Sequence, residues 1–480
     1  MLIAAALCYN QGKYHLYRYR IEVNGSFMYK YEQVIQELEH NLEKLTFKDG
    51  DKLPSIRELA IQYGVNKSTI IRALHDLEER HLIYSVAKSG YYVVRGRNQT
   101  DDTKQGLIDF VSAAPDPGVF PYLDFQHCIN KAIDTYKNDL FIYGTSQGLP
   151  SLLALMQRHL ANYQVFTQLS NIFIVSGVQQ ALSILCTMPF PNQKRMILIE
   201  QPCYHLLVEH LQTHQLPVMG IRRTEQGIDM DELERIFCTE SIKFFYTIPR
   251  FHNPLGSSYR TEEKKRISAL ARKYDVYIVE DDYLADLEHN SKSDPLFAYD
   301  ESKHVIYLKS YSKIIFPGLR IGVAVIPDTL IQTFNRYKRT QDIDSSMLSQ
   351  GALEIYLKSG MFEHHREKIR TSYAKRSQLL QTVLRDLSRQ QHEHFTFPSA
   401  SSRLTVHTHL ELHDRLPVQR LISDAKKKSI HLESIEKHYL ASFPASNLLK
   451  INVTNVPEDR IEHGLRQLLE IVNNIQFNKG

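Results

Sequence analysis

Five short apolar runs between residues 172 and 308 are each followed by a turn or a side chain that could do chemistry. The first run precedes a glycine turn at a predicted helix start, where free backbone amides bind anions. The other runs precede Tyr204, Asn253, Asp281 and Lys313 in turn. Together these groups suit pyridoxal phosphate. A lysine amine forms its Schiff base, a carboxylate keeps its pyridine nitrogen protonated, and other donors hold its phenolate oxygen and phosphate.

Each of these signals alone has a commoner structural explanation. Asp281 could be a satisfied structural acid, Asn253-Pro254 is typical of an ordinary turn, and a single lysine such as Lys313 is usually a solvated surface residue. Their joint order at consecutive strand ends is what favours a cofactor site.

A sheet is needed to bring these residues together. The apolar runs alternate with helical patterns, which predicts a mainly parallel sheet covered by helices. In such sheets the ligand lies at the carboxyl ends of the strands. The runs are 172–175, 196–199, 244–246, 276–279 and 305–308.

This order resembles the fold type I, class I/II aminotransferase family over residues 108–475, with a smaller C-terminal α/β subdomain from about 335 to 475. The resemblance implies that Lys313 forms the Schiff base and that Asp281 pairs with the pyridine nitrogen. Tyr283 and Asn253 would bind the phenolate oxygen, and Tyr204 would stack on the ring. The phosphate ligands that the resemblance implies are Gly177, Val178, Gln179, Ser310, Ser312 and Arg320.

Three further positions bear on this resemblance. Tyr143 resembles the family residue that reaches the phosphate of the partner subunit, which implies a homodimer. Lys309 stands where the family often has glycine, and we expect little chemical consequence. Lys450 stands where the family has an arginine for the substrate carboxylate. Because lysine offers a point charge instead of a planar fork, an α-amino acid should bind less tightly. A shifted alignment or an exposed Lys450 is the alternative explanation.

The segment 28–95 has the pattern of a winged helix-turn-helix. Three amphipathic helices follow one another, and Ser55 and Glu58 form a capping box at the start of the second. Two short strands, 82–86 and 91–94, should form the wing. Ten basic and ten acidic residues leave the segment neutral. DNA binding would therefore depend on where its cations stand.

This segment resembles the GntR family of winged-helix transcriptional regulators through the strings LPSIRELA and GVNKSTI and the wing glycine Gly90. His81 replaces the usual glycine before the wing, which is a mild departure. A small helical domain with solvated charges is the alternative explanation. The residues that we expect to contact DNA are Ser55, Arg57, Asn66, Lys67, Thr69, Arg72, Lys88, Ser89 and Gly90.

Composition sets broad limits on the 480 residues. The chain is 42% hydrophobic and 23% charged, as in globular proteins, and its net charge of +4 indicates no particular partner. Five scattered cysteines predict a reducing cytosol and no metal site. The apolar stretch Leu2–Cys8 is too short for a signal peptide or a membrane span. We therefore expect a cytoplasmic protein with an N-terminal extension (1–27) and a linker (96–107) between its two domains.

A GntR-like winged helix joined to an aminotransferase-like domain resembles the MocR subfamily of bacterial transcriptional regulators. The resemblance implies a head-to-tail dimer on double-stranded DNA, in which the large domain senses an effector through the cofactor. The effector would be an amine, an amino acid or a vitamer. A working aminotransferase with an appended winged helix is the alternative, and steady turnover would distinguish it.

Overall fold

The computed structural model of the chain contains two compact units, Met1–Gly106 and Leu107–Gly480. It describes residues 20–23, 26–43, 50–79, 82–86, 89–93, 107–113, 119–288, 293–389, 395–396, 406–413 and 416–474. Of the predicted linker, only residue 107 is among them.

The described part of the first unit combines helices with two antiparallel hairpins. Its elements are β1 (Arg20–Val23), β2 (Ser26–Tyr29), α1 (Lys30–Glu43), α2 (Ile56–Gln62), α3 (Lys67–Glu79), β3 (Ile83–Val86) and β4 (Gly90–Val93). The hairpin of β3 and β4 is the expected wing. The hairpin of β1 and β2 lies partly within the segment that was expected to be an extension. The core packs Ile70, Leu74 and Leu77 of α3 against Val34 and Leu38 of α1.

Local capping starts the second helix where the sequence predicts. The backbone N–H of Ser55 donates to the Glu58 carboxylate at 2.7 Å, and the N–H of Glu58 donates to the Ser55 hydroxyl at 3.3 Å. Two free N–H groups at the helix start are thereby satisfied. The predicted capping box is confirmed, and the third helix begins directly after Asn66.

The first part of the second unit contains both strands and helices. Its first elements are β5 (Ile108–Asp109), α4 (Tyr122–Tyr136), α5 (Pro150–Ala161), β6 (Ile172–Val175), α6 (Val178–Thr187), β7 (Met196–Gln201), α7 (His205–Thr213), β8 (Val218–Thr224), β9 (Gly227–Ile228), α8 (Met230–Thr239), β10 (Ile242–Thr247), α9 (Thr261–Tyr274), β11 (Tyr277–Asp281), β12 (Val305–Ser310) and β13 (Gly322–Val325). The remaining elements are α10 (Ile331–Gln341), α11 (Met347–Lys358), α12 (Met361–Ser388), β14 (Phe395–Thr396), β15 (His407–Leu412), α13 (Val418–Lys427), β16 (Ile430–His431), β17 (Leu448–Asn452) and α14 (Glu458–Asn474).

An eight-stranded sheet forms the centre of this unit, in the order β6-β13-β12-β11-β10-β7-β8-β9. The strands from β12 to β8 in that order are parallel, whereas β13 is antiparallel to both of its neighbours and β9 is antiparallel to β8. The mainly parallel sheet is therefore confirmed. Every apolar run named above lies in one of its strands, apart from Val276, which directly precedes β11. Each run is almost wholly buried because helices cover both faces. Parallel strands end at one edge, so the residues that follow them come together there.

A second layer is built from the C-terminal part of the chain. β14, β15 and β17 form an antiparallel sheet, and α12, α13 and α14 contribute to the core beside it. β5 pairs with β16, so Ile108 and Phe110 from the start of the unit join this layer. Ala352 and Tyr356 of α11 belong to the core of the large sheet. Leu380, Val383 and Leu387 of α12 lie in the core of the C-terminal layer.

No helix in the described ranges is long and apolar enough to cross a membrane. In the same ranges, no group of three or more His, Cys, Asp or Glu side chains is placed to hold a metal ion.

Candidate cofactor site and DNA-binding surface

A cavity of about 540 Å³ lies at the carboxyl edge of the large sheet. Every residue that we expected around the cofactor lines it, with the exception of Tyr143. The lining residues named from the sequence are Gly177, Val178, Gln179, Tyr204, Asn253, Asp281, Tyr283, Ser310, Ser312, Lys313, Arg320 and Lys450. The large sheet and β17 of the C-terminal layer thus bring together groups that are far apart in the sequence.

Lys313 lies in the turn that follows β12. Its Nζ donates a hydrogen bond to the carbonyl oxygen of Ala113 at 3.1 Å, and no other partner of this amine is seen among the described residues. Burial lowers the pKa of Lys313 below that of an ordinary lysine. The neutral amine, which is the form that attacks an aldehyde, is therefore more available than on a surface lysine.

Asp281 is the last residue of β11, and one of its carboxylate oxygens is hydrogen-bonded to a neighbouring side chain. Oδ2 accepts a hydrogen bond from the Tyr246 hydroxyl at 2.9 Å, whereas Oδ1 is buried and has no hydrogen-bond partner in the described structure. Burial raises the pKa of Asp281 to about 7, the Tyr246 hydrogen bond lowers it, and the charge of Asp282 raises it. A cationic N–H in the cavity would pair with Oδ1 and keep the carboxylate ionised.

The turn between β6 and α6 has the features of an anion-binding site. Gly177 caps α6 with φ of 88°, and a Cβ there would lie 2.8 Å from an Arg320 guanidinium nitrogen. Only glycine permits this approach. Arg320 also donates to the carbonyl oxygen of Ser176 at 3.1 Å, which holds the guanidinium beside the helix start. Ser310 and Ser312 line the same cavity. Free amides, a cation and hydroxyls are what a phosphate monoester needs.

Two tyrosines and an asparagine line the cavity near these groups. The Tyr204 hydroxyl accepts a hydrogen bond from Gln179 at 3.2 Å, and burial raises the pKa of Tyr204 to about 12. The Tyr283 hydroxyl donates to the Phe251 carbonyl oxygen at 3.0 Å. The Asn253 side-chain oxygen is buried without a partner among the described residues.

The C-terminal layer contributes a cationic wall. Lys450 projects from β17 into the cavity lining, and no hydrogen bond or ion pair of its ammonium group is seen in the described ranges. Burial and the charges of Lys313 and Lys437 lower the pKa of Lys450 to about 8, although Glu433 opposes them. Lys437 is already paired with Glu433. Lys450 therefore presents a partly buried positive charge that an acidic ligand group would neutralise.

Sequence reasoning missed several polar residues of the cavity lining. No motif marks those between β15 and β17, because that segment contains no glycine turn. His205 had the one usable signal, since it follows the predicted ring-stacking Tyr204 directly. The missed polar residues of the lining are His205, His407, Glu433, Lys437, His438, Asn452 and Thr454.

Beneath the strand ends lie buried ion pairs that the sequence does not reveal. The Lys309 ammonium lies 2.5 Å from Asp286, and both side chains are almost completely inaccessible. The Tyr163 hydroxyl donates to the second oxygen of Asp286, also at 2.5 Å. Arg250, which follows β10, makes a two-pronged contact with Asp282, which follows β11. Lys309 is not among the residues that line the cavity, and its buried charge is neutralised by Asp286.

Tyr143 lies away from the cavity lining, and 78% of it is exposed. The neighbouring Ile142 is 65% exposed. The N–H of Gly144 donates to Asp344 at 2.6 Å, which joins this segment to the loop before α11.

In the first unit, the expected DNA-contacting residues fall on the exposed side of the helix-turn-helix. Asn66, Lys67 and Arg72 are exposed, and Thr69 is half-buried. The Arg72 guanidinium lies 4.3 Å from the centre of the Tyr31 ring, so it packs on α1 while remaining accessible. The contacts expected at the start of α2 are Ser55, which caps the helix, and Arg57, which is exposed.

The expected wing contacts are only partly described. The Ser89 and Tyr92 hydroxyls are hydrogen-bonded at 2.6 Å, and Gly90 begins β4 with φ of 126°. Lys88 lies outside the described residues.

Comparison with known proteins agrees with this division. The model of the family described as bacterial regulatory proteins, gntR family, matches residues 30–93, and that of aminotransferase class I and II matches residues 116–468. The chain is 56% identical over 442 residues to YcxD of Bacillus subtilis, described as an uncharacterized HTH-type transcriptional regulator, a match that covers 92% of this chain and 99% of YcxD. It is 26% identical to aromatic-amino-acid aminotransferase 1 of Thermococcus litoralis, over 76% of this chain and 88% of that protein.

Among solved structures, the kynurenine aminotransferase of Pyrococcus horikoshii superposes with a TM-score of 0.70 at 24% identity, covering 77% of this chain and 92% of that one. The fold is therefore that of a winged helix joined to a fold type I aminotransferase domain.

The chain belongs to the class I and II aminotransferase family, and a gntR-family domain precedes its aminotransferase domain. This arrangement is the architecture of the MocR transcriptional regulators. This family and fold imply pyridoxal 5'-phosphate as the cofactor. The residues present fit that group. The partnerless Asp281 Oδ1 suits a protonated pyridine nitrogen, the Gly177 turn with Arg320 suits a phosphate, and the Lys313 amine faces the same cavity.

Proposed function

We propose that this regulator binds double-stranded DNA through its winged helix and senses a small amine, amino acid or vitamer through the cofactor bound at Lys313. The observation that carries the proposal is the placement of Lys313 and Asp281 on one cavity in a chain whose N-terminal domain belongs to the gntR family. Because DNA is the target, the proposed site of action is the cytoplasm.

When bound, the cofactor supplies an aldehyde that condenses with amines and a ring that withdraws electrons. The chain's own residues then have separate tasks. Lys313 would provide the amine that holds the cofactor. Asp281 holds a proton at the pyridine nitrogen, and the Gly177 turn with Arg320 anchors the phosphate. Lys450 provides a positive charge for an acidic group of the effector.

The cofactor half of this proposal is tested by borohydride reduction of the reconstituted protein followed by peptide mass spectrometry. The expected result is a cofactor adduct on Lys313 that disappears in Lys313→Ala. Lys303, which is surface-exposed and paired with Asp328, provides the matched control, because Lys303→Ala should leave the adduct unchanged. An adduct on another lysine, or none, would contradict the assignment.

The DNA half is tested by footprinting upstream of the protein's own gene and its neighbours, with and without cofactor. We expect protection of direct or inverted repeats, and a change in protection when an effector amine is added. If no site is protected at modest salt, the regulator proposal fails, since phosphate contacts are strongest under that condition.

We further propose a head-to-tail homodimer. Several large apolar side chains are exposed within the segments 122–143 and 343–348, and they would be covered by a second copy. These side chains are Tyr122, Leu123, Ile133, Ile142, Tyr143, Ile343 and Leu348. Sedimentation equilibrium should give a dimer for the native chain and a larger monomer fraction for Ile142→Glu. A native chain that is monomeric at micromolar concentration would contradict the proposal.

A working aminotransferase is the second candidate, favoured by the presence in one cavity of every cofactor-contacting position except Tyr143. Steady turnover of an amino donor with a keto acid, abolished by Lys313→Ala, would support it. A half-reaction that stops after one equivalent, together with altered DNA binding, would favour the sensor.

A further inference from the structure

The hydroxyl of Tyr246 donates a hydrogen bond to Oδ2 of Asp281. The distance from this hydroxyl to Asp281 Oδ2 is 2.9 Å, and the other oxygen, Oδ1, is buried without a partner among the described residues. Asp281 lines the cofactor cavity. One carboxylate oxygen is thus held by Tyr246, while the other has no partner among the described residues in a side chain that lines the cavity.

Tyr246 can act only as a donor in this position. It lies on β10, next to the strand that carries Asp281, and its side chain is completely buried. Burial, together with the charge of Asp281, raises the pKa of Tyr246 far above the ordinary value. The hydroxyl therefore stays protonated, so its hydrogen bond always stabilises the ionised carboxylate over the neutral acid.

We propose that Tyr246 is a positioning residue for the cofactor's pyridine nitrogen: it orients Asp281 so that Oδ1 faces the cavity, and it keeps the proton on the nitrogen instead of on the carboxylate. The proposal rests on the cofactor and does not depend on DNA binding or on an effector. Without the hydroxyl, the buried carboxylate would take the proton more readily, because an ionised acid in an apolar site needs its hydrogen-bond donors.

The neighbouring strand provides a matched control. Tyr307 on β12 is also completely buried, and its hydroxyl donates to Asp282 at 2.7 Å. Asp282 pairs with Arg250 and is not among the residues that line the cavity. Tyr307→Phe therefore removes the same atom from a similar buried contact with an acid, but with an acid that does not line the cavity.

The test compares two ligands, pyridoxal phosphate and its 1-deaza analogue, in which a C–H replaces the ring nitrogen. Dissociation constants are measured for the native full chain, Tyr246→Phe and Tyr307→Phe. Loss of a hydrogen bond to a charged group predicts roughly tenfold weaker binding of pyridoxal phosphate by Tyr246→Phe. The deaza analogue should bind this variant and the native chain equally, and Tyr307→Phe should change neither constant.

A purely structural role for Tyr246 would weaken the binding of both ligands equally, and that result would overturn the proposal. Unchanged binding of both ligands would overturn it as well. Nitrogen-15 NMR with ring-labelled cofactor gives a second reading, since the signal should move toward the unprotonated form in Tyr246→Phe only. If Tyr246→Phe does not fold, Tyr246→Met removes the hydroxyl with a more adaptable side chain and enters the same comparison.

Discussion

The buried contact of Lys309 with Asp286 allows a quantitative prediction for Lys309→Met. The side chains of this pair are 0% and 2% exposed, and their charged atoms lie 2.5 Å apart. Methionine fills a similar volume but leaves Asp286 with the Tyr163 hydroxyl as its remaining side-chain partner. Removal of one member of a buried pair costs about 3–5 kcal/mol, because the other charge is left uncompensated. We expect a loss of that size in the free energy of unfolding of the large unit near neutral pH.

The assay is urea unfolding of the full chain, followed by near-ultraviolet circular dichroism of its tyrosines. Lys303→Met is the matched control, because Lys303 pairs with Asp328 on the surface, where such pairs contribute little. The double variant Lys309→Met, Asp286→Leu should regain much of the loss, since an apolar replacement of a whole buried pair is often tolerated.

The loss should also depend on pH. In the native chain, burial raises the pKa of Asp286. The charge of Lys309 and the hydrogen bonds from Lys309 and Tyr163 lower this pKa by a larger amount, so the net pKa is below the ordinary value. The stability that Asp286 contributes is therefore present above about pH 4 and is lost as the pH falls through its lower folded pKa. Without Lys309, burial becomes the dominant effect on Asp286, and its pKa rises above the value in the unfolded chain. The deficit of Lys309→Met should then grow as the pH rises above about 4. A deficit equal to that of Lys303→Met, or one that is the same at acid and neutral pH, would refute this reasoning.

Three further predictions concern other parts of the chain. Ser55→Ala should destabilise the first unit by about 1 kcal/mol through loss of the helix cap, measured by thermal unfolding, and a change near zero would contradict the capping role. Because the pKa of Lys450 is lowered to about 8, the native chain should bind an acidic effector more weakly as the pH rises through that value. The variant Lys450→Arg should bind the same effector with an affinity that does not change over this range. Calorimetry at several pH values distinguishes the two results. Lys67→Ala should weaken DNA binding and reduce the slope of log affinity against log salt by about one, and an unchanged slope would mean that Lys67 contacts no phosphate.

The cofactor cavity was largely predictable, because its main residues directly follow buried strands. The chain must place Tyr204, Asp281 and Lys313 at one edge as soon as the parallel sheet forms, and apolar runs are enough to predict that sheet. The capping box of Ser55 and Glu58 was predictable for a similar reason, since both partners lie within one helical turn.

Contacts between distant segments could not be predicted in this way. The sequence places Lys309 beside the cofactor motif, but alternation along β12 turns its side chain to the face that carries Tyr163. The partner Asp286 follows another strand, so no local pattern joins the pair. Tyr246 resembles any other apolar position of its strand until the sheet brings its hydroxyl to Asp281. The hairpin of β1 and β2 differs, because Asn24-Gly25 is a local sequence signal for a tight hairpin turn.

The position of β13 between β6 and β12 affects the order in which parts of the chain can fold during synthesis. In the described part of the chain β6 pairs with β13 alone. Gly322–Val325 is synthesised about 150 residues later, which at ribosomal rates takes roughly 7–30 s. During that interval the apolar edge of β6 needs protection from aggregation. Arg320 also arrives only then, so the phosphate turn is completed late. The winged helix, whose contacts are local, can fold long before the nascent chain is able to hold its cofactor.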